Sequence, residues 1–164
     1  MEMRAARYED CRALALFKIK VWETTYRGIY PNDKLDQYDI EANEKKFEDM
    51  IKQQSQKLFV VLDKGEIIGY MSYGKILRAF DEHTHDIGLL YVAKEYQGQG
   101  IGKMLFQFAK QELEKEGVTE FIVSCNKYNL PAQRFYKKMG GTIIKVEKDN
   151  EDKSIPQVKF KFVQ

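Results

Sequence analysis

A chain of 164 residues, 43% of them hydrophobic, can bury a core of its own and suits one domain over 1–164. Its 27 basic and 25 acidic side chains leave a net charge of +2 and form no arginine-rich arm or polybasic run, so neither nucleic acid nor a membrane surface is an expected partner. No apolar run approaches the roughly 18 residues of a membrane span, Met1-Glu2-Met3-Arg4 lacks a secretory apolar stretch, and Cys11 and Cys125 are too few for a disulfide framework and lack metal-ligand spacing; a cytoplasmic protein with two buried free thiols and no metal is expected.

In chain order, a strand is predicted over 1–6, followed by a helix that Asp10 opens. Leu14, Phe17 and Val21 share one face of it, and Gly28 and Pro31 break it. Asp39 caps a second helix from about 40, with Phe47, Met50 and Ile51 as its apolar side. The β-rich runs 57–62 and 66–73 flank Asp63-Lys64-Gly65, a hairpin signal, and 86–92 reads as the next strand. Gly88 inside that strand suits a bulge or a close backbone approach, or is a plain weak spot. Ile101, Leu105, Phe108, Ala109 and Leu113 form the stripe of a helix that Gly117 ends. A strand over 120–125, a helix over 131–139 and strands over 142–146 and 158–163 complete the order, with no repeat or low-complexity tract. Hairpin-joined strands followed by a strand–helix–strand unit imply an α/β (α+β) chain with a mixed sheet and helices on both faces.

The most informative segment joins the strand 86–92 to the helix that follows it. Gln97-Gly98-Gln99-Gly100-Ile101-Gly102-Lys103 places three glycines within five residues, just before a helix whose free N–H groups and positive dipole end attract an anion. Lys103 sits in the first helical turn, where a cation opposes the dipole unless a phosphate is bound. A P-loop is excluded, since Gln97 stands at its first glycine and Met104 at its hydroxyl position. A dinucleotide fingerprint fails from either Gly98 or Gly100, because Lys103 or Leu105 falls at the third glycine. What remains is Gln-x-x-Gly-x-Gly at Gln97, Gly100 and Gly102. This resembles the acetyl-coenzyme A pyrophosphate loop of the GNAT superfamily of N-acetyltransferases. A second segment, from Asn126 to Gly140, is similar to the family's other signature: Asn129, Ala132, the pair Phe135-Tyr136, then Lys138 and Gly140. Gly141 departs from the pattern, which more often has Phe there.

The resemblance covers nearly the whole chain and implies a mostly antiparallel mixed sheet in which two parallel strands, 86–92 and 120–125, splay to admit the pantetheine arm. It implies acetyl-coenzyme A as cosubstrate, held by Leu90, Tyr91, Val92, Gln97, Gly98, Gln99, Gly100, Ile101, Gly102, Lys103, Asn129 and Tyr136. Acetyl transfer to an amine needs a base for the ammonium proton, a donor for the oxyanion and an acid for the leaving thiolate. By resemblance Tyr136 is the acid, and a phenol with an ordinary pKa of about 10 keeps its proton at neutral pH. A half-buried core tyrosine is the bland reading of the same residue. The oxyanion donor is expected among the amides of Leu90 to Val92. Asn129 matches a coenzyme-contacting position and equally suits a helix cap before Leu130-Pro131. Asp86 matches an acidic residue that acts as base directly or through water, and a charged strand-edge residue explains it equally well. His83 and His85 read as solvated loop residues.

The aromatic turn from Trp22 to Pro31 resembles the TYRGIYP-type segment of many bacterial GNAT proteins, polyamine acetyltransferases among them. Tyr26 and Tyr30 are the substrate-binding candidates, and Asp33, Asp36 and Asp39 could attract a polycation, although a packed connector and a solvated helix start explain them better. The implied function is direct transfer of acetyl to a primary amine of a small molecule or peptide. A non-catalytic acyl-coenzyme A sensor is the alternative, but it would have no need of Tyr136 or Asn129. The acceptor, the acyl length and the oligomeric state, a homodimer included, stay open.

Overall fold

The computed structural model describes residues 1–164. Seven strands form one sheet in the order β1-β2-β3-β4-β5-β7-β6. They are β1 Glu2–Ala5, β2 Gln56–Asp63, β3 Glu66–Phe80, β4 His83–Val92, β5 Glu120–Asn126, β6 Thr142–Val146 and β7 Gln157–Val163. The helices are α1 Cys11–Tyr26, α2 Asn32–Asp36, α3 Ile40–Gln53, α4 Ile101–Lys115 and α5 Leu130–Lys138. Every strand pair is antiparallel except β4–β5. The mixed sheet and its parallel pair agree with the sequence expectation.

Each face has its own core. On one face Leu14, Phe17 and Val21 of α1 and Phe47 of α3 pack against Val60 and Tyr70. On the other, Ile101, Leu105, Ala109 and Leu113 of α4 pack with Tyr136 of α5 on Met71, Ile87 and Phe160. Phe106, absent from the predicted stripe, is buried with Phe121 and Phe162, whereas Phe108 is only partly buried. The Asp39 carboxylate accepts from the Ala42 N–H at 3.0 Å, as its predicted capping role requires. The Gly141 departure has a packing cause. A side chain there would meet the Phe162 ring at 2.6 Å, so Phe162 already fills the space.

Three differences bear on the site. The short α2 was not predicted, because five residues give no periodic signal. β3 runs to Phe80, seven residues beyond the predicted end, and turns through Asp81 directly into β4. His83 and His85 therefore lie on β4, not in a loop. The His83 side chain is only 14% exposed and faces Glu120 at 3.6 Å, while His85 Nδ1 meets the Thr84 hydroxyl at 2.8 Å. No helix is long and apolar enough to cross a membrane.

Candidate active site

β4 and β5 share a single register pair, Asp86 with Ile122, and part beyond it. Gly88 is the residue over which the β3–β4 register slips, since Ser72 pairs Leu89 and Tyr73 pairs Ile87. Of the readings open for Gly88, the structure has the bulge. Its consequence is a change of phase. Ile87 faces the α4 side, yet beyond the bulge Leu89 and Tyr91 join the α1 side while Leu90 and Val92 take the α4 side.

The backbone follows the same alternation. The Ala93 N–H bonds to the Ile68 carbonyl of β3, so the amides of Tyr91 and Leu89 also turn to β3. The amides of Leu90 and Val92 turn the other way, into the gap that β5 has left. The Val92 carbonyl on that side accepts from Gln97 Nε2 at 3.0 Å, which ties the glycine turn to the end of β4.

That turn leaves its amides open. None of the backbone N–H groups of residues 98–103 bonds to another part of the chain. Gly98 and Gly100 have φ of 78° and 85°, a region that residues with a Cβ rarely adopt. Gly100 is thereby the N-cap of α4, and a Cβ on it would meet nothing within 4 Å. Lys103 is exposed on the first turn of α4. Consecutive free amides at a helix N-terminus with an adjacent lysine fit a diphosphate.

A cavity of about 440 Å³ passes through the splay, with lining residues on both sides of the sheet. It brings together Asp86, Leu90, Tyr91, Asn129, Tyr136, Tyr26 and Tyr30. Val92 and the turn from Gln97 to Lys103 lie outside its lining, at the far end of β4.

Tyr136 reaches the cavity from α5 and is 6% exposed, against the rings of Phe135 and Phe160. Its hydroxyl bonds to no other group of the chain, and burial raises its pKa well above the ordinary value. Cys125 lines the same cavity and is half-buried, where full burial was expected. Burial pushes its thiol up to about 12. Asn129 caps α5, accepting from the Ala132 N–H at 3.2 Å, and also lines the cavity.

Asp86 stands in one row with Gln56 and Gly74 across β2, β3 and β4. With no side chain on Gly74 between them, Gln56 Nε2 reaches Asp86 Oδ1 at 2.8 Å and also donates to the Lys75 carbonyl at 2.8 Å. Burial raises the Asp86 carboxyl to about 6, against the opposing pull of Gln56 and Lys159. Gln56 Oε1 and the Ser72 hydroxyl are buried without partners beside Gly88, where an added Cβ would sit 2.9 and 3.2 Å from them. Gln56, Ser72, Cys125 and Lys159 were not foreseen from sequence. Only the strand register brings them to the same cavity as Asp86.

On the α1 side Tyr26 stacks on Tyr30 with ring centres 4.1 Å apart, and Trp22 meets both edge-on. Two of the three acidic residues nearby have structural work. Asp36 pairs with Arg27 at 3.1 Å and Asp39 caps α3.

The sequence of residues 19–141 matches the model of the acetyltransferase (GNAT) family. The chain belongs to the GNAT acetyltransferase family. It is 32% identical over 137 residues to the uncharacterized N-acetyltransferase YuaI of Bacillus subtilis, covering 82% of this chain and 76% of that one. Over 162 residues it is 26% identical to a spermidine N(1)-acetyltransferase of Thermoplasma acidophilum, covering 98% of each. The fold superposes on the PaiA N-acetyltransferase of the same organism, solved with coenzyme A, with a TM-score of 0.76 at 21% identity over 99% of this chain and 98% of that one. This GNAT protein is thus an acetyl-coenzyme A dependent N-acetyltransferase, and the sensor alternative is not favoured.

Proposed function

We propose that this GNAT protein, as one domain over 1–164, transfers acetyl directly from acetyl-coenzyme A to a primary amine of a small molecule or peptide. The observation that supports this is the cavity through the β4–β5 splay, which both Tyr136 and Asp86 line. Bound acetyl-coenzyme A would supply the thioester. Its diphosphate suits the open amides of residues 98–103 and Lys103, and its arm suits the gap beside Leu90, Tyr91 and Val92, with Asn129 near by. The Leu90 N–H, free of any sheet partner, donates to the acyl oxygen as charge gathers there. Asp86, held by Gln56, takes the ammonium proton, and Tyr136 returns one to the departing sulfur. Tyr26 and Tyr30 wall the acceptor side. The free thiols of Cys11 and Cys125 suit the reducing cytoplasm, where we place the protein.

Direct transfer has a plain test. Thiol release should require an amine, and the protein incubated with acetyl-coenzyme A alone should keep its mass. An acetylated protein that then passes its acetyl group to the amine would replace this reading with a covalent one.

Asp86 as base sets a pH dependence. The group must be ionised to accept a proton, so kcat/KM should fall as pH drops through about 6 and level off above it. Asp86→Asn should remove that limb and lower kcat by about 10²- to 10⁴-fold. Stability should move oppositely. A carboxyl raised from 3.8 to about 6 favours the folded state below the lower value and loses that contribution as pH rises through the upper one. Asp86→Asn should therefore be no less stable than the parent at neutral pH, as thermal melts would show. A merely structural carboxylate would lose stability and keep its turnover.

A further inference from the structure

The acceptor end of the cavity has an unbalanced charge. Asp86 is the single carboxylate in its lining, while Lys159 and Arg78 supply two cations. The register sets Lys145 of β6 directly opposite Lys159 of β7, and both ammonium groups lie over the Phe80 ring, at 5.4 and 4.7 Å from its centre. Like charges paired across strands are destabilising. No carboxylate lies within ion-pair distance of Arg78, Lys145 or Lys159, whereas Lys161, on the same strand, pairs with Glu120 at 3.9 Å.

Glu147, whose charge also acts on Lys159, accepts from the Gln157 N–H at 2.8 Å, and Lys159 itself donates only to the Ser124 hydroxyl at 3.0 Å. Burial and the neighbouring charges of Lys145 and Arg78 lower the Lys159 pKa, against Glu147 and Asp86, which raise it. A cationic cluster of this kind, with Lys159 half-buried and Arg78 and Lys145 exposed beside it, opens on a reaction cavity and is stabilised by an anion there.

We infer that the acceptor is a primary amine whose own molecule carries an anionic group, a carboxylate or a phosphate, bound by Lys159 and Arg78 while its nitrogen faces Asp86. This rests on the amine-acetyltransferase reading and narrows it. Lys159 pairs with Ser124, and Asp86 with Ile122, so their Cα positions lie two strand spacings across and two residues along the sheet, roughly 12 Å apart, within the reach of the two side chains. Nitrogen and anion must therefore belong to one compact group. A polyamine such as spermidine would instead bring its second ammonium against Lys159 and Arg78.

The test compares phosphoethanolamine and β-alanine with ethanolamine and spermidine. Calorimetric binding to the coenzyme A-loaded protein and thiol release from acetyl-coenzyme A are both read. At least one anionic amine should be preferred to ethanolamine by about 10-fold or more, with a preference that shrinks as salt rises. The phosphate and carboxylate members show which anion is meant. In Lys159→Gln, and separately in the more exposed Arg78→Gln, the ratio between anionic and neutral amine should fall toward one. Preference for spermidine, or an anionic preference that survives both substitutions, overturns the inference even if turnover is brisk. A binding preference lost in these variants, without any turnover, upholds the anion site and instead defeats the transferase reading.

Discussion

Tyr136→Phe is expected to lower kcat by about 10²- to 10⁴-fold while coenzyme A affinity stays nearly unchanged. The substitution keeps the ring, and with it the contacts to Phe135 and Phe160 at 5.2 and 5.7 Å between ring centres. It removes a hydroxyl that bonds to nothing else in the chain, so folding loses little. The chemistry loses the proton that leaves with the sulfur. Burial raises the Tyr136 pKa, which secures the proton in the ground state but makes the phenol a weaker acid. The same burial acts on sulfur. Cys125, in the wall of the same cavity, is pushed up to about 12, and a thiolate leaving there meets the same poor solvation. A basic thiolate restores the driving force for transfer from a weak acid. Steady-state rates at saturating amine, beside calorimetric affinity, check this. Wild-type turnover in the variant would withdraw the acid role from Tyr136.

Gly100→Val should abolish coenzyme A binding and leave the fold intact. Valine at a φ of 85° carries backbone strain of about 1–3 kcal/mol. A Cβ at Gly100 meets no protein atom within 4 Å, so nothing inside the chain is displaced. The branched side chain would instead stand where the open amides of the turn are proposed to receive a diphosphate. Calorimetry should find no binding and thermal melts a folded protein; unchanged affinity would remove the diphosphate from this turn. Lys103→Ala should weaken binding more modestly, with a loss that shrinks as salt rises.

The two segments that revealed the family are each local in sequence. A strand, a glycine turn and a helix N-terminus follow one another from Tyr91 to Lys103, and a helix cap and its aromatic pair follow one another from Asn129 to Tyr136. Their physical meaning is complete within about a dozen residues, and so both were legible. The surroundings of Asp86 were not. Gln56 reaches it from two strands away across the bare Gly74, and Lys159 reaches its cavity from the far side of β5. Both depend on register, which periodicity does not supply. The true length of β3 is hidden in the sequence because Gly74, Lys75 and Arg78 interrupt the apolar alternation, which leaves the histidines reading as loop residues. The bulge at Gly88 was one of several readings until the pairing of Ser72 and Tyr73 chose it.

The most direct test of direct acetyl transfer to an amine is a single turnover with protein in excess over acetyl-coenzyme A, run across a panel of primary amines and followed by mass spectrometry of the amine. The expected result is one acetyl group on the amine nitrogen for each coenzyme A released, with no release when amine is omitted. Acetyl-coenzyme A that survives intact with every amine, or release of coenzyme A with free acetate as the product, would contradict it.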